Sequence, residues 1–469
     1  MAEDRVGSVT ESLNQARWDW VHLKSAVIAG IGYFTDAYDL FVIGAALELI
    51  KTQWHLDAIT VGLVGSIALF AAFVGALIFG RVADLWGRHR LYGLEAALMT
   101  VGALLSAVAW APAVLMGARA ILGLGIGGDY SVSGVLMSEY ANVKDRGRMV
   151  AIVFSMQAVG LIAGPMVSLT LLASEIGPQW VWRLILAFGA IPAAVIVYFR
   201  RRMPESPRYL AQVEGREEDA RRHLARFGRT ILGDEKAMSG IPTQRLTFRH
   251  FWTEPRLFWT LVAAAGTWFF FDYAYYGNSI SLPLVLKAVA PHASPLSQMA
   301  WSLMIFTIAA VPGYALAFWR IDRIGHRRLQ FLGFFIMGLA FLALGLIPAL
   351  SRTIWPFLGI FGLSYFFAEF GPNTTTFVLS TEVFPVSLRT TGNGISAGTA
   401  KLGAFVGVFL FPALTAHWGL SRTLLLTAAF SFAGMALTAL LPEPAGRSLE
   451  DIAETVVRSE SESLSERVE

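Results

Sequence analysis

The chain has 469 residues, 55% of them hydrophobic and only 15% charged, with a mean hydropathy of +0.55 and a net charge of +3. So apolar a composition excludes an ordinary soluble protein and fits a polytopic membrane protein. The small net charge implies no nucleic-acid partner, and the absence of cysteine excludes disulfides and thiol chemistry.

Residues 1–20 are polar and acidic and lack the basic n-region, apolar h-region and cleavage site of a secretory signal. The first span, from about Val21, is therefore expected to act as its own insertion signal. Apolar runs long enough to cross a roughly 30 Å core lie near 22–50, 59–83, 90–110, 112–140, 149–174 and 180–200. After a polar segment, six more lie near 257–288, 298–320, 328–350, 354–382, 386–416 and 420–442. The expected fold class is an all-α membrane protein with twelve transmembrane helices in two six-helix bundles, 21–202 and 257–442. A linker, 203–256, joins the bundles, and tails 1–20 and 443–469 flank them.

Lys and Arg set the orientation. The connections after spans two, four, six, eight and ten hold Arg81, Arg88 and Arg90; Lys144, Arg146 and Arg148; Arg200 to Arg202; Arg320, Arg323, Arg327 and Arg328; and Arg389. The opposite connections hold little more than Lys51 and Lys287. Both termini and the linker are thus expected in the cytoplasm of a multi-pass plasma (inner) membrane protein. Within the linker, the charge run Glu214 to Phe227 reads as the solvated face of an amphipathic helix. In the tail, Leu449, Ile452 and Val456 stand at helical spacing, with a disordered Ser-rich end expected beyond.

Span four carries Arg119 near one end, Glu139 near the other and Asp129-Tyr130 midway. An ionisable group at the bilayer centre costs roughly 2.5–3.5 kcal/mol on insertion scales, so it persists where it faces a bundle interior or a wet pathway. The glycines at 123, 125, 127 and 128 let a neighbouring helix or a solute approach the backbone. Arg119 and Arg183 fit either a pairing with internal carboxylates or a place at an outer membrane edge.

The halves repeat. Gly80 to Arg90 recurs weakly as Trp319 to Arg328, with Asp84 and Asp322 standing 238 residues apart, as do Pro204 and Pro442. Glu139 with Arg146 recurs as Glu382 with Arg389 at an offset of 243. Near-constant offsets predict two bundles related by an axis along the membrane normal, with a solute site between them.

Asp84-x-x-Gly87-Arg88-x-Arg90, Arg119-x-x-x-Gly123 and Pro204-Glu-Ser-Pro-Arg208 resemble the major facilitator superfamily. Thr35-Asp-x-Tyr-Asp-Leu-Phe41, Gly127-Gly-Asp-Tyr-Ser131 and Phe370-Gly-Pro-Asn-Thr-Thr-Thr-Phe377 are similar to its phosphate:proton symporter family, whose Gly-Gly-Asp-Tyr-Pro motif here ends in Ser131. The resemblance implies proton-coupled import of inorganic phosphate by alternating access between the bundles. No cofactor is expected, and a monomer is.

Trp268, Asp272 and Tyr276 stand at i, i+4 and i+8, drifting only about 40° per step, and so share one helix face. The resemblance implies that they form the substrate site with Tyr130, Gln157 and Asn373. Tyr, Gln, Asn and the Trp N–H suit the oxygens of an oxyanion, while Asp272 accepts from a P–OH group. Lys401, central in span eleven, is read as electrostatic support for an anion or a carboxylate. Gly371-Pro372 before Asn373 is either a helix interruption that frees carbonyls to line a cavity or a packing kink.

Proton coupling needs buried carboxylates. Asp36 and Asp39 share a face of span one and Asp129 is their counterpart; the resemblance supports Asp36 and Asp129 and suggests Glu95. Asp39 is alternatively structural. Asp84, Gly87, Arg88, Arg90 and Asp322 read as a cytoplasmic latch, and Glu139, Arg146, Glu382 and Arg389 as parts of the same gate.

Rival readings are a sugar or organic-acid symporter and a transporter-like nutrient sensor. No Gly-Lys-Ser phosphate loop appears, so ATP is not the expected energy source and no enzyme is expected. The eight histidines show no metal-ligand pattern, and His89 and His326 read as solvated loop residues.

Overall fold

The structure is a computed structural model that describes Asn14, residues 20–226 and residues 246–457. The acidic N-terminal segment, part of the linker and the Ser-rich end lie almost wholly outside the described residues. Among the described residues, ten helices are long and apolar enough to cross a membrane, and Leu94–Ala107 adds a shorter pass. One of the ten, Arg389–Thr438, breaks at Gly419 (φ 79°, ψ 162°). Gly403 and Gly407 on its first arm lie against Phe269 and Tyr273, while Leu437 on its second lies against Gly266. The chain therefore doubles back, and the arms are separate passes.

The twelve passes are α1 (Trp20–Trp54), α2 (Ala58–Trp86), α3 (Leu94–Ala107), α4 (Pro112–Tyr140), α5 (Arg146–Leu172) and α6 (Pro178–Arg200), then α7 (Pro255–Ile280), α8 (Leu296–Ile324), α9 (His326–Leu346), α10 (Ile354–Glu382), α11 (389–418) and α12 (420–438). The third pass is shorter than its apolar run suggests because Gly93 (φ 103°) breaks the helix before Leu94. The seventh stops at Ile280, and a separate helix, Leu282–Val289, carries the rest of that run.

Local chemistry sets many of these bounds. Asp57 caps α2 by accepting from the Thr60 N–H at 2.9 Å. Prolines open α4, α6 and α7, where the missing N–H is harmless. Apolar residues such as Ile78, Leu104, Ile191, Val195 and Ile308 stay exposed on the outer surface, while carboxylates and guanidinia are buried inside, the distribution a lipid solvent imposes.

The pseudo-symmetry is visible at single residues. Gly87 (φ 93°) ends α2 and Gly325 (φ 96°) ends α8 in the same conformation, which side chains with a Cβ rarely adopt. After each, a glutamate supplies the first-turn acceptor: Glu205 for the His89 N–H, and Glu443 for those of His326 and Arg327, each at 3.0 Å. The halves meet where α2 crosses α11. A Cβ on Gly80 would lie 2.7 Å from the Thr390 carbonyl, and one on Gly394 would lie 2.5 Å from that of Ala76.

α10 kinks at Gly371 (φ −111°, ψ −109°) within a π-turn over Glu369–Asn373. The carbonyls of Glu369, Gly371 and Pro372 are not left facing a cavity. The hydroxyls of Thr374, Thr375 and Thr376 donate to them at 2.7, 3.0 and 2.7 Å, which explains a threonine run directly after a Gly-Pro break.

The helices Pro207–Gln212 and Glu217–Arg226 follow α6, and Leu449–Val457 follows α12. In the second of these the pairs of Arg216 and Arg222 with neighbouring acids are largely exposed, a solvated charged face worth little stability.

Candidate functional site

The glycine run of α4 positions the first half's polar residues. A Cβ on Gly123 or Gly127 would sit about 2 Å from the carbonyls of Ala68 or Ala72 on α2 (2.2 and 2.0 Å). The run thus serves helix packing, and it presses α4 into the bundle so that Asp129 and Tyr130 are buried at its centre.

Tyr130 stands where the halves meet. Its hydroxyl receives a hydrogen bond from Gln157 Nε2 on α5 and lies 3.4 Å from the hydroxyl of Tyr276 on α7. Lys401 Nζ, from α11, donates to Asp272 Oδ2 at 2.9 Å and to the Tyr276 hydroxyl at 3.2 Å. The same ammonium lies over the rings of Tyr130 and Tyr276, 4.1 and 4.4 Å from their centroids. Trp268 faces the Asp272 carboxylate. From Gln157 a second branch runs on: the Tyr314 hydroxyl donates to Gln157 Oε1 at 3.1 Å, and Asn373 Nδ2 donates to Tyr314 at 2.8 Å and to Glu369. All seven residues expected at a substrate site are therefore members of one buried hydrogen-bonded network spanning both halves.

Two of its members, Tyr314 and Glu369, escape sequence reasoning. Glu369 was open to the rule that singles out Asp272, an acid in an apolar run. Nothing distinguishes Tyr314 from the many other aromatics.

The expected proton-coupling acids divide into two groups. Arg200 donates to Asp129 Oδ2 at 2.9 Å, to Glu95 at 2.9 Å and to the Ala29 carbonyl at 2.9 Å, and its Nη1 pairs with Asp129 Oδ1 at 2.8 Å. Asp36 lies within electrostatic reach of Asp129 and Arg200 in this cluster, of Lys401 in the network and of Asp39. Neither of its carboxylate oxygens accepts a hydrogen bond among the described residues. Asp39 is set apart and faces Arg119, whose Nη2 donates to the Asp39 carbonyl at 3.0 Å. Arg183 lies away from the acids, donating to the carbonyls of Ala107 and Ala109 at 2.8 Å each.

Arg200 reads in sequence as one of three basic anchors, yet it is fully buried. Gly32 makes room for it: a Cβ there would fall 2.0 Å from Arg200 Nη2 and 1.9 Å from Asp129 Oδ2. The signal lies in α1 rather than in the basic run itself.

At the basic end the gating candidates form a lattice across the halves. Arg88 pairs with Asp84 and Glu139 at 3.0 and 3.1 Å. His326 takes the corresponding place between Asp322 at 3.3 Å and Glu382 at 3.6 Å, buried rather than solvated as its loop position suggests. The arginines cross over. Arg146 pairs with Glu382 at 3.2 Å, and Arg389 with Glu139 at 3.5 Å. The aspartates cross too, since Asp84 accepts from the Thr391 N–H at 2.6 Å and Asp322 from that of Arg148 at 2.8 Å. Each thereby caps the first turn of a helix in the other half. Arg90 is exposed and stands outside the lattice.

Twelve passes in two pseudo-symmetric halves, closed over a buried polar seam, define a major facilitator fold. The chain belongs to the sugar (and other) transporter family, whose model matches residues 25–456. It is similar to a probable inorganic phosphate transporter 1-6 of Arabidopsis thaliana, at 33% identity over the whole of both chains. It also resembles a low affinity inorganic phosphate transporter 4 of Petunia hybrida, at 34% identity over 96% of this chain and 95% of that one. Among solved structures, the proton:xylose symporter XylE bound to 6-bromo-6-deoxy-D-glucose matches with a TM-score of 0.80 at 20% identity, covering 93% of this chain and 99% of its own. The inward-open form of XylE from E. coli matches with a TM-score of 0.68 at 19% identity, covering 93% and 100%.

Proposed function

We propose that the protein is a proton-coupled importer of inorganic phosphate that works by alternating access, in a plasma (inner) membrane with its basic end and both termini in the cytoplasm. The observation that carries this reading is the network itself: a buried lysine paired with the Asp272 carboxylate and a ring of neutral donors drawn from both halves. An incoming dihydrogen phosphate competes for the Lys401 ammonium, takes hydrogen bonds from Tyr130, Tyr276, Trp268, Gln157 and Asn373, and gives its own P–OH to Asp272. A fully ionised tetrahedral anion such as sulfate has no proton for Asp272 and leaves two carboxyl oxygens facing it. The family and the phosphate-transporting relatives support the same substrate class.

Protons enter through Asp36 and the Asp129–Glu95 pair. Arg200 offsets one of these acids but not all three, so the cluster exchanges protons at modest cost. Asp39, held against Arg119, orients α1 against α4. The cross-half lattice is the gate, and rocking of the halves breaks it to open the site to the cytoplasm. Each protomer carries a complete site, consistent with a monomer.

The test is reconstitution in liposomes under an imposed pH gradient, comparing labelled phosphate with sulfate, glucose and small carboxylates. Phosphate is expected to accumulate alone, and Asp272→Asn to reduce its uptake by about two orders of magnitude, the loss of roughly 3 kcal/mol from a buried hydrogen-bonded charge pair. Uptake of glucose instead, or undiminished phosphate uptake by Asp272→Asn, refutes the assignment.

A further inference from the structure

Among the described residues, the seam contains one acid to which the proposed phosphate contacts and proton cluster assign no role. Glu369 is fully buried on α10, one turn before Asn373. It faces the phenols of Tyr275 from α7, Tyr314 from α8 and Tyr365 from α10 itself. Among the described residues no lysine, arginine or histidine faces it from these helices or from α9. Asp272 has Lys401 and Asp129 has Arg200, whereas Glu369 has only neutral donors.

Asn373 joins this acid to the cradle. Its amide nitrogen donates to Glu369 Oε2 and to the Tyr314 hydroxyl. A primary amide nitrogen carries two hydrogens, so both are committed and neither is left for the oxygen of a bound anion. An ionised carboxylate holds its share of that pair strongly, because charge-assisted hydrogen bonds are about twice as strong as neutral ones. It also opposes any second anion brought close to it.

We propose that Glu369 is a proton-binding residue of the C-terminal half, whose protonation releases the Asn373 amide to an incoming oxyanion, so that proton and anion load that half together. The proposal rests on the phosphate-import reading. A proton from the outer solution converts the Glu369 carboxylate to a carboxylic acid. Its new O–H turns to a tyrosine oxygen or to Asn373 Oδ1, and one Asn373 N–H is freed. When the site opens inward, loss of the anion and loss of the proton favour each other in the same way.

The experiment measures the KM for phosphate in proteoliposomes at a series of external pH values, for the wild-type protein and for Glu369→Gln. The glutamine is neutral at every pH and, as a weak neutral acceptor, leaves the Asn373 amide as free as the protonated acid does. Dividing one KM by the other at each pH cancels the titration of phosphate itself. The ratio of wild-type to variant KM is expected to climb on the alkaline side, toward the limit of about tenfold per pH unit that linkage to one proton allows. A ratio that stays flat across the range overturns the proposal. So does loss of phosphate binding by a folded Glu369→Gln, since a neutral side chain should favour the anion. Should that variant fail to fold, Glu369→Asp takes its place, and an unshifted KM profile overturns the proposal equally. Failure of the wild-type protein to take up phosphate refutes the import reading and is read in its own arm.

Discussion

Crossed pairing at the basic end can be tested by a double-mutant cycle. The perturbations are Glu382→Gln, Arg146→Gln and Arg389→Gln, alone and in pairs. At the 3.2 Å that separates Arg146 from Glu382, unit charges attract by about 5 kcal/mol at an effective dielectric constant near 20. Desolvation of two buried groups offsets much of this, leaving a coupling of about 2 kcal/mol, within the range found for residues in contact. That is roughly a thirty-fold change in the ratio of closed to open basic end. No ion pair joins Glu382 to Arg389 among the described residues, so their coupling should stay below about 0.5 kcal/mol. The chain has no cysteine, so spin labels at Arg90→Cys and Arg328→Cys, both exposed, report the opening directly by double electron–electron resonance. Equal coupling of Glu382 to Arg389 and to Arg146 would refute the crossed arrangement.

Two other substitutions probe features outside the cross-half lattice. Gly32→Ala drives a methyl group into Arg200 and Asp129; displacing a buried guanidinium costs about 3–5 kcal/mol. A lower melting temperature and at least a ten-fold loss of gradient-driven uptake are expected, and unchanged values of both would sink the account of Arg200. Glu450, on the tail helix, is partly buried, which pushes its carboxyl up, but the Arg208 guanidinium at 3.3 Å and Gln212 outweigh burial and hold it below the ordinary glutamate range. A depressed carboxyl stabilises the fold above its unfolded pKa of about 4.3 and loses that contribution as pH falls through the folded value. Glu450→Gln should therefore cost about 1–3 kcal/mol at neutral pH, with the melting-temperature gap to wild type closing in acid; a gap that persists there contradicts the assignment.

The passes were legible because lipid demands long apolar runs and Arg marks one end. That α7 turns one polar face to the seam was legible because Trp268, Asp272 and Tyr276 repeat at helical spacing. The pairings were not. Motif spacing ties Glu139 to Arg146 along the chain, whereas the pseudo-twofold relation carries Arg146 to the other half, where Glu382 awaits it. Likewise Arg200 is indistinguishable in sequence from Arg201 and Arg202, since helix phase and a glycine 168 residues earlier decide which of the three is buried. The kink at Gly371-Pro372 was visible, but not that the following threonines would satisfy its carbonyls.

The reciprocal clasp carries a consequence for leakage. Each half contributes a cation to its neighbour's acid and an acid to its neighbour's helix start. Parting one such contact while the rest hold strands a bare charge on either side, a state costlier than full closure or full separation. In the gate we propose, the mouth thus has two stable settings with a ridge between them, and ions do not trickle through a door left ajar.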